Sequence, residues 1–389
     1  MRGIATMVAA AWLGVAALPA KAEELRIGLL TTLSGPGSGL GVDIRDGFKL
    51  ALEEKGAKLG GVAVALVEAD DQRNPDVAVK ITDEMISREK IYLMTGQVWS
   101  NLALAMMPTL ARAETFFISP NAGPSVLAGK QCSPWFFNTA WQNDNNHEAT
   151  GAWVQEKGFT NVYLLAPNYP AGKDALAGFK RYYKGAVAGE VYTPLDQMDF
   201  AAELANLRAA APDATFIFFP GGQGINFIKQ YAQAGLKEQI PLFGAAFSFS
   251  QDILPAVGDV ALGAVNGSQW SPDLDNPVNQ AFVAAFEAKY GRLPSLYAAQ
   301  AYDTVLVLDA AVAAAGADWA DKDKFRAALR AVRIATTRGP FRFGNNHFPI
   351  QDFYAREVVK LDDGTVTNRL LGKVFADHQD AYAADCAMP

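Results

Sequence analysis

The feature that most constrains the fold of this chain is a regular alternation of apolar strand segments with amphipathic helix segments. "LRIGLLTTLSG" (residues 25–35) reads as a buried strand that enters a loop rich in Gly, Ser and Pro. Ile44, Phe48 and Leu52 then recur at helical spacing. The segments "VAVALVEADD", "IYLMTG" and "TFFISP" repeat the strand pattern. This alternation predicts a parallel sheet with helices on both faces.

The same pattern restarts after "WQNDNN", which predicts a second, similar α/β unit. Its predicted strands are "NVYLLAP", "GEVYTPL", "ATFIFFP" and "IPLFGAAF". The chain has 389 residues, too many for one ordinary core, so two lobes joined by several short crossings are expected. Lobe 1 is predicted over residues 23–143 plus 270–343, and lobe 2 over 144–269 plus 344–389.

The first 22 residues form a separate element. Arg2 precedes an apolar run from Ile4 to Leu18, and Ala20-Lys21-Ala22 fits the small-x-small cleavage pattern of a secretory signal. An uncleaved membrane anchor is the alternative, but the run is short for a span. No later stretch is expected to cross a bilayer. We therefore predict a cleaved signal peptide, a mature start at Glu23 and a soluble protein in the periplasm.

Charge and cysteine content narrow the possible partners. The net charge is −7, or −9 once Arg2 and Lys21 leave with the signal peptide, which argues against nucleic acid. The two cysteines are Cys132 and Cys386. An even number in an exported chain suggests one disulfide bond, which would tie the C-terminal tail to a loop of the first half. Two buried free thiols are the alternative.

No catalytic or cofactor motif stands out. A complete G-x-G-x-x-G, a P-loop, H-E-x-x-H and G-x-S-x-G are all missing from the sequence. His147, His347 and His378 have no second histidine or cysteine at ligand spacing, so no metal site is expected and each is predicted at the surface. Asp70-Asp71 is a carboxylate pair at a strand end, where loop capping is a commoner role than catalysis. This favours binding over enzyme activity, without a cofactor.

The ends of the predicted strands share small and polar residues. In open α/β sheets, ligands bind beyond the carboxyl ends of the strands. Gly, Ser, Asn and Gln, with an aromatic residue in several loops, are typical of a site that holds a small molecule between two lobes. These loops are "TLSGPGSGLG", "TGQVWSN", "SPNAGPS", "PNYPAGKD", "PGGQGIN" and "GAAFSFS".

With its signal peptide, the chain resembles the type I periplasmic solute-binding proteins of the leucine/isoleucine/valine-binding family, which serve ABC importers. The segments that carry the resemblance are "IGLLTTLSGPGSGLGVDIRDGFKLALEE", "DDQRNPDVAVKITDEMI", "ISPNAGP" and "PSLYAAQAYDTVLVL". They keep the family's order and cover nearly all of the mature chain. The resemblance implies a two-lobed α/β fold, each lobe a mostly parallel sheet flanked by helices, with a membrane permease as partner.

The resemblance also implies how an anion is held. In the amino-acid binders of that family, the carboxylate lies against a serine after the "TG" strand and against backbone amides after "ISP". The matching positions here are Ser100, Asn121, Ala122 and Gly123. A hydroxyl and free N–H groups at a helix start can hold a carboxylate without a buried cation.

Two departures from the family's pattern argue against an α-amino acid. The family's threonine after "ISP" corresponds to Gly123, and its acidic residue in a later loop corresponds to Ala246, or to Phe247 if the register shifts. An unpaired buried ammonium group is costly, so an α-amino acid fits poorly.

Aromatic and neutral polar side chains in the site loops favour an aromatic acid instead. Exported members of the family that are similar to this chain in "SPNAGPS", "WQND" and "NYPAGKD" take up benzoate-, hydroxybenzoate- or phenylpropenoate-type acids, which implies such a ligand here. Packing in the core or between the lobes is the alternative for the aromatic residues, particularly for Phe249. The predicted ligand-binding residues are Gln97, Trp99, Ser100, Asn121, Ala122, Gly123, Tyr169, Gln223, Phe247 and Tyr297.

Three other functions stay open at this point. The same fold can bind a branched-chain or other amino acid or an amide. A hydrolase of a small ester or amide would need a nucleophile paired with a base, and the sequence offers no such pair. A sensor that signals to a receptor instead of a permease would use the same lobe closure.

Overall fold

The computed structural model describes residues 24–388, so the predicted signal peptide and its cleavage site lie outside the described residues. The strands are β1 Leu25–Thr31, β2 Lys58–Leu59, β3 Val62–Asp70, β4 Leu93–Thr95, β5 Phe116–Ser119, β6 Phe136–Asn138, β7 Asn161–Pro167, β8 Ala186–Thr193, β9 Ala214–Ile217, β10 Leu242–Ala245, β11 Val265–Ser268, β12 Arg333–Thr336, β13 Gly339–Phe343, β14 Pro349–Lys360 and β15 Val366–His378. The helices are α1 Ser38–Glu54, α2 Pro75–Ser87, α3 Ser100–Arg112, α4 Ser125–Ala128, α5 Asn145–Glu156, α6 Pro170–Tyr182, α7 Ala201–Ala210, α8 Gly222–Gln233, α9 Leu254–Val257, α10 Pro277–Tyr290, α11 Leu296–Ala315 and α12 Lys322–Ala331.

The first sheet has six strands in the order β2-β3-β1-β4-β5-β6. All of its pairings are parallel except that of the short β2 with β3. Ile27 of β1 lies opposite Leu66 of β3 and Leu93 of β4, and its side chain is buried. An apolar strand with neighbours on both sides is expected in a parallel sheet covered on both faces.

The second sheet has nine strands in the order β12-β13-β14-β11-β10-β9-β7-β8, with β15 paired to β14. The pairings from β8 to β11 are parallel, and those made by β12 to β15 are antiparallel. Two mixed sheets flanked by helices are the fold predicted from the sequence, which is confirmed. Since Arg342 of β13 pairs with Ile350 of β14, the predicted lobe 1 range ends inside this antiparallel part. The predicted lobe boundaries stay a prediction.

A buried arginine fastens two of the segments that run between the sheets. Arg338 donates from Nη2 to the Thr139 carbonyl over 2.6 Å and from Nη1 to the Ala140 carbonyl over 2.7 Å. Its Nε donates to the carboxylate of Asp303, in α11, over 2.8 Å. Both side chains are almost fully buried, so the ion pair fixes where the crossing after β6 lies against α11.

The C-terminal tail is held by the disulfide bond predicted from the sequence. Cys132 lies between α4 and β6, and Cys386 follows β15. Their Cα atoms are 5.6 Å apart across a sequence separation of 254 residues. This prediction is confirmed.

One helix of the described chain is more apolar than expected from the sequence. Leu296–Asp318 is long and apolar enough, by length and composition alone, to cross a membrane, so the expectation that no later stretch qualifies was wrong. In the structure 67% of this stretch is buried, because α11 packs against α1. A Cβ added to Gly47 of α1 would lie 2.1 Å from the Ala298 carbonyl oxygen, so the two helix backbones nearly touch. This stretch is therefore a core helix of the folded protein, within the range predicted for lobe 1.

Candidate functional site

A cavity with about 360 Å³ of empty space lies between the two sheets, at the carboxyl ends of their strands. The loops after β4, β5, β7, β9 and β10 contribute to it, together with the first turns of α5 and α11. The lining residues are Leu40, Val98, Trp99, Ser100, Asn121, Trp141, Asn143, His147, Tyr169, Ala171, Phe218, Pro220, Phe247 and Tyr297.

The structure brings some of the predicted binding residues together and leaves others outside the lining. Those in the lining are Trp99, Ser100, Asn121, Tyr169, Phe247 and Tyr297, and those outside it are Gln97, Ala122, Gly123 and Gln223. Gln97 accepts a hydrogen bond from the Trp99 amide over 3.0 Å and so shapes the loop before α3. Gln223 donates to the Pro194 carbonyl and lines a neighbouring cavity of about 280 Å³.

The backbone amides after β5, which the sequence analysis expected to be free, already have partners in the protein. Asn143 Oδ1 accepts a hydrogen bond from the Gly123 amide over 3.1 Å, and the Ala122 amide donates to the Gln97 carbonyl over 3.4 Å. The Asn121 amide donates to Ser119 Oγ over 3.4 Å. Asn143 lies in the segment that connects β6 to α5, and no local pattern of the sequence predicts its contact with Gly123.

The start of α3 has hydrogen-bond donors without partners, and its first residue, Ser100, lines the cavity. Ser100 Oγ accepts a hydrogen bond from Asn143 Nδ2 over 3.1 Å, which leaves its own hydrogen free to donate. Among residues 24–388 the backbone N–H groups of Ser100 and Asn101 have no partner, as is usual in the first turn of a helix. These groups and the positive end of the helix dipole suit a carboxylate.

Aromatic rings form the walls of the cavity. The rings of Tyr169 and Phe218 are nearly parallel, with 6.2 Å between centroids, and Trp99 lies 6.3 Å from Tyr169. Trp141 meets Phe247 edge to face at 4.7 Å. Aspartate, glutamate, lysine and arginine are missing from the lining. A flat, apolar ligand with one anionic end matches this arrangement.

His147 lines the cavity, which the sequence did not predict. It was predicted at the surface, but 1% of it is exposed, and the prediction was wrong for His347 for the same reason. Burial lowers the pKa of His147 to about 3, so its imidazole is neutral. His147 lies in the first turn of α5, four residues after Asn143, and this closeness in the sequence is the signal that could have linked it to the site.

Asp70 and Asp71 organise the loop beside the cavity. Buried Asp71 accepts hydrogen bonds from Thr32 Oγ1 over 2.6 Å and from the Arg73 amide over 2.8 Å. The backbone of Arg73 is left-handed, with φ 56°. Its guanidinium lies 4.7 Å from the Trp99 ring and donates to the Leu195 carbonyl over 2.9 Å. Because Leu195 belongs to the second predicted lobe, this contact crosses the cleft.

A buried carboxyl group lies near the Tyr297 end of the cavity without lining it. Both carboxylate oxygens of Asp252 are buried without a hydrogen-bond partner among the described residues. Burial, with the nearby charge of Asp43, raises the pKa of Asp252 to about 7. At the position where the family has its acidic residue, Phe247 lines the cavity and Ala246 does not.

Metal binding finds no support in the described part of the chain. Between residues 24 and 388 there is no group of three or more His, Cys, Asp or Glu side chains placed to hold a metal ion.

Comparison with known proteins places the chain among binding proteins of transport systems. Residues 24–365 match the family described as periplasmic binding protein. Leu/Ile/Val-binding protein homolog 6 of Brucella melitensis biotype 1 is 28% identical over 372 residues, which cover 93% of this chain and 95% of that protein.

Solved structures of solute-binding proteins from ABC transporters have the same fold. One from R. palustris, in complex with benzoate, is 34% identical with a TM-score of 0.88, covering 94% of this chain and 100% of that one. Another, from Rhodopseudomonas palustris BisB5 in complex with 3,4-dihydroxy benzoic acid, is 30% identical with a TM-score of 0.87, covering 92% and 99%. A third, from R. palustris in complex with 4-hydroxybenzoate, is 27% identical with a TM-score of 0.86, covering 92% and 99%.

Proposed function

Because this chain belongs to the periplasmic binding protein family, we propose that it binds a small aromatic carboxylate between its lobes and delivers it to the permease of an ABC importer. The family consists of substrate-binding proteins of transport rather than enzymes, and it implies a periplasmic location. The observation that carries the proposal is an uncharged cavity with aromatic walls that ends at the first turn of α3.

The carboxylate would lie at the start of α3. The Ser100 hydroxyl and the N–H groups of Ser100 and Asn101 can donate to it, and the helix dipole adds favourable electrostatic energy there. Hydrogen bonds to a charged group contribute about 1.5–3 kcal/mol each, so a few of them can replace a buried cation.

The ring would lie between the aromatic walls. Tyr169 and Phe218 are nearly parallel to each other, and Trp141 and Phe247 close another side. Complexes of similar proteins with benzoate and with hydroxylated benzoates support a ligand of this class.

Contacts across the cleft would hold the closed, ligand-bound form. Ser125 of α4 donates from its hydroxyl to Asp174 of α6 over 2.7 Å, and Arg73 donates to the Leu195 carbonyl. Closure by hinge bending makes such contacts only when the lobes meet. The closed form would then be the one that docks on the permease.

An α-amino acid, as the name of the Brucella relative suggests for that protein, is the second candidate. The cavity lining offers no aspartate or glutamate for an α-ammonium group, and the carboxyl of Asp252 lies outside it. An unpaired buried ammonium group would cost several kcal/mol. The aromatic acid is therefore the better supported ligand.

A thermal-shift screen of residues 23–389 tests the proposal. The compounds are benzoate, 4-hydroxybenzoate, p-coumarate, leucine and valine. A ligand that binds only the folded state raises Tm by mass action. We expect shifts with aromatic acids and none with the amino acids. A shift with leucine or valine alone would refute the aromatic-acid proposal.

Site variants connect a positive screen to the cavity. Ser100→Ala removes a donor to the carboxylate, and should weaken binding about 10- to 100-fold. Ser87→Ala is the matched control, because Ser87 is exposed at the end of α2. Equal affinities of the two variants would place the carboxylate elsewhere.

A further inference from the structure

His147 is a buried polar side chain without a hydrogen-bond partner in the described part of the chain. It is 1% exposed, its Nδ1 is completely enclosed, and neither ring nitrogen takes part in a hydrogen bond. Most buried polar groups are paired, so an exception requires an explanation. Because His147 lines the cavity, the missing partner has a place to bind.

The surroundings of His147 are aromatic and uncharged. Its ring centroid lies 4.9 Å from that of Phe218, 5.6 Å from Phe247 and 5.8 Å from Phe216. An imidazole in such a place is neutral, and offers one donor and one acceptor. This matches a neutral group of the ligand, such as a hydroxyl, better than it matches a carboxylate.

The position of His147 agrees with contact to the ring rather than to the anion. Asn143, which donates a hydrogen bond to the Ser100 hydroxyl, lies before α5, and His147 lies in the first turn of that helix. The imidazole lies beside Phe218 and Phe247, two of the aromatic rings that line the cavity. A substituent on the ligand's ring is the group expected there.

We infer that His147 determines specificity by hydrogen bonding a ring hydroxyl, so that hydroxylated benzoates are preferred over benzoate itself. This inference rests on the proposed function. Benzoate would fill the cavity but leave the imidazole unpaired, and sites built to pair with a substrate hydroxyl discriminate against analogues that lack it.

The test is a ratio of affinities measured by titration calorimetry. The ligands are benzoate, 3-hydroxybenzoate and 4-hydroxybenzoate, and the proteins are the wild type, His147→Phe, His147→Gln and Ser100→Ala. We expect the wild type to bind at least one hydroxybenzoate about tenfold or more tighter than benzoate. His147→Phe should abolish this preference, because it weakens binding of the hydroxybenzoates more than binding of benzoate.

The two other variants separate recognition from folding and from anion binding. Ser100→Ala should lower the affinity for all three ligands by a similar factor, so that the ratio of the affinities is unchanged. His147→Gln retains a donor and an acceptor, so part of the preference should return, and its Tm reports whether the cavity still folds. If His147→Phe does not fold, the wild-type ratio and His147→Gln still decide.

Several results would overturn the inference. A wild type that binds benzoate as tightly as both hydroxybenzoates contradicts it, as does an unchanged ratio in His147→Phe. An equal loss for all three ligands in His147→Phe would show that the imidazole contacts the carboxylate instead. If no aromatic acid binds the wild type, the proposed function fails as well, which is a different outcome from binding without preference.

Discussion

The side-chain amide of Asn143 donates a hydrogen bond to the hydroxyl of Ser100 over 3.1 Å, which joins the crossing segment to the first turn of α3. The same amide donates to Asp174 Oδ2 over 2.9 Å and accepts from the Gly123 amide over 3.1 Å. Asn143 thus connects both predicted lobes and fixes the position of the Ser100 hydroxyl beside the cavity. The backbone amides after β5 are therefore not free to bind an anion. The side chain of Asn143 joins this loop to α3.

Asn143→Ala is expected to lower the affinity for the aromatic acid by about tenfold or more and to lower Tm. The substitution leaves the Gly123 N–H without a partner and removes one of the two hydrogen bonds to Asp174 Oδ2, and an unpaired buried group costs about 1–3 kcal/mol. Calorimetric titration and thermal unfolding of the same sample measure both effects. Wild-type affinity in this variant would show that Ser100 needs no orienting partner.

Arg73→Gln is expected to weaken ligand binding by about three- to tenfold, mainly through faster dissociation. Its guanidinium donates across the cleft to the Leu195 carbonyl, and the contact is partly exposed, so its contribution is reduced by solvent screening. Stopped-flow dissociation and small-angle scattering with saturating ligand check the effect. Arg88→Gln, an exposed arginine of the same lobe, is the control and should behave as the wild type.

The stability of the protein should fall as pH rises through neutrality, in part because of Asp252. Burial raises the pKa of Asp252 from 3.8 to about 7, so the folded state holds its proton more tightly than the unfolded chain does. The stabilisation is complete below pH 4 and is lost as pH rises through about 7. Asp43 opposes ionisation of Asp252, and Arg292 favours it.

Asp252→Asn removes this titrating carboxyl group, so the free energy of unfolding should depend less on pH. Relative to the wild type, the variant is expected to gain about 2–3 kcal/mol between pH 5 and pH 8, since one pKa unit corresponds to about 1.4 kcal/mol. Urea unfolding at both pH values measures the difference. Asp83→Asn, at an exposed site on α2, is the control. Parallel profiles of wild type and Asp252→Asn would exclude Asp252 as the source.

Asp303→Ala should destabilise the protein by about 3–5 kcal/mol, because it leaves the buried guanidinium of Arg338 without its carboxylate. Unfolding in urea measures the loss. Asp318→Ala removes an exposed ion pair with Lys324 and should cost less than about 1 kcal/mol. Similar losses in the two variants would mean that the crossing segments do not depend on the Asp303–Arg338 pair.

The double variant Cys132→Ser/Cys386→Ser should be about 2–4 kcal/mol less stable while binding its ligand normally. The bond closes a very long loop, and neither cysteine lines the cavity. Thermal unfolding and titration of the double variant check the two halves of this prediction. A loss of affinity would show that the tail acts on the cleft.

The strand and helix pattern predicted the fold because the parallel strands of each sheet come from one continuous part of the chain, residues 25–138 for the first sheet and 161–268 for the second. The site loops were also predictable, since the carboxyl ends of parallel strands meet at one edge. The burial of the polar residues in the first turns of α5 could not be predicted in this way. "NNHEATG" looks like a solvated surface, yet these residues are buried, because Arg181 pairs with Asp144 and Glu148 and His378 bonds Glu148.

The general reason is that a hydrophobic pattern reports apolar burial only. Asn143 and His147 are placed by contacts with residues far away in the sequence, Ser100 and Phe218 among them. No local period records such pairs. Tyr169 and Phe247, in contrast, follow directly after strands and were within reach of loop-based reasoning.

The long span between Cys132 and Cys386 has a consequence for how the protein matures. Cys386 follows α1–α12 and β1–β15 in chain order, so the bond cannot form until nearly the whole chain has been made. Until then Cys132 is an unpaired thiol, open to oxidants or to a mixed disulfide with an oxidising catalyst. The disulfide bond therefore cannot guide the folding of a partly made chain.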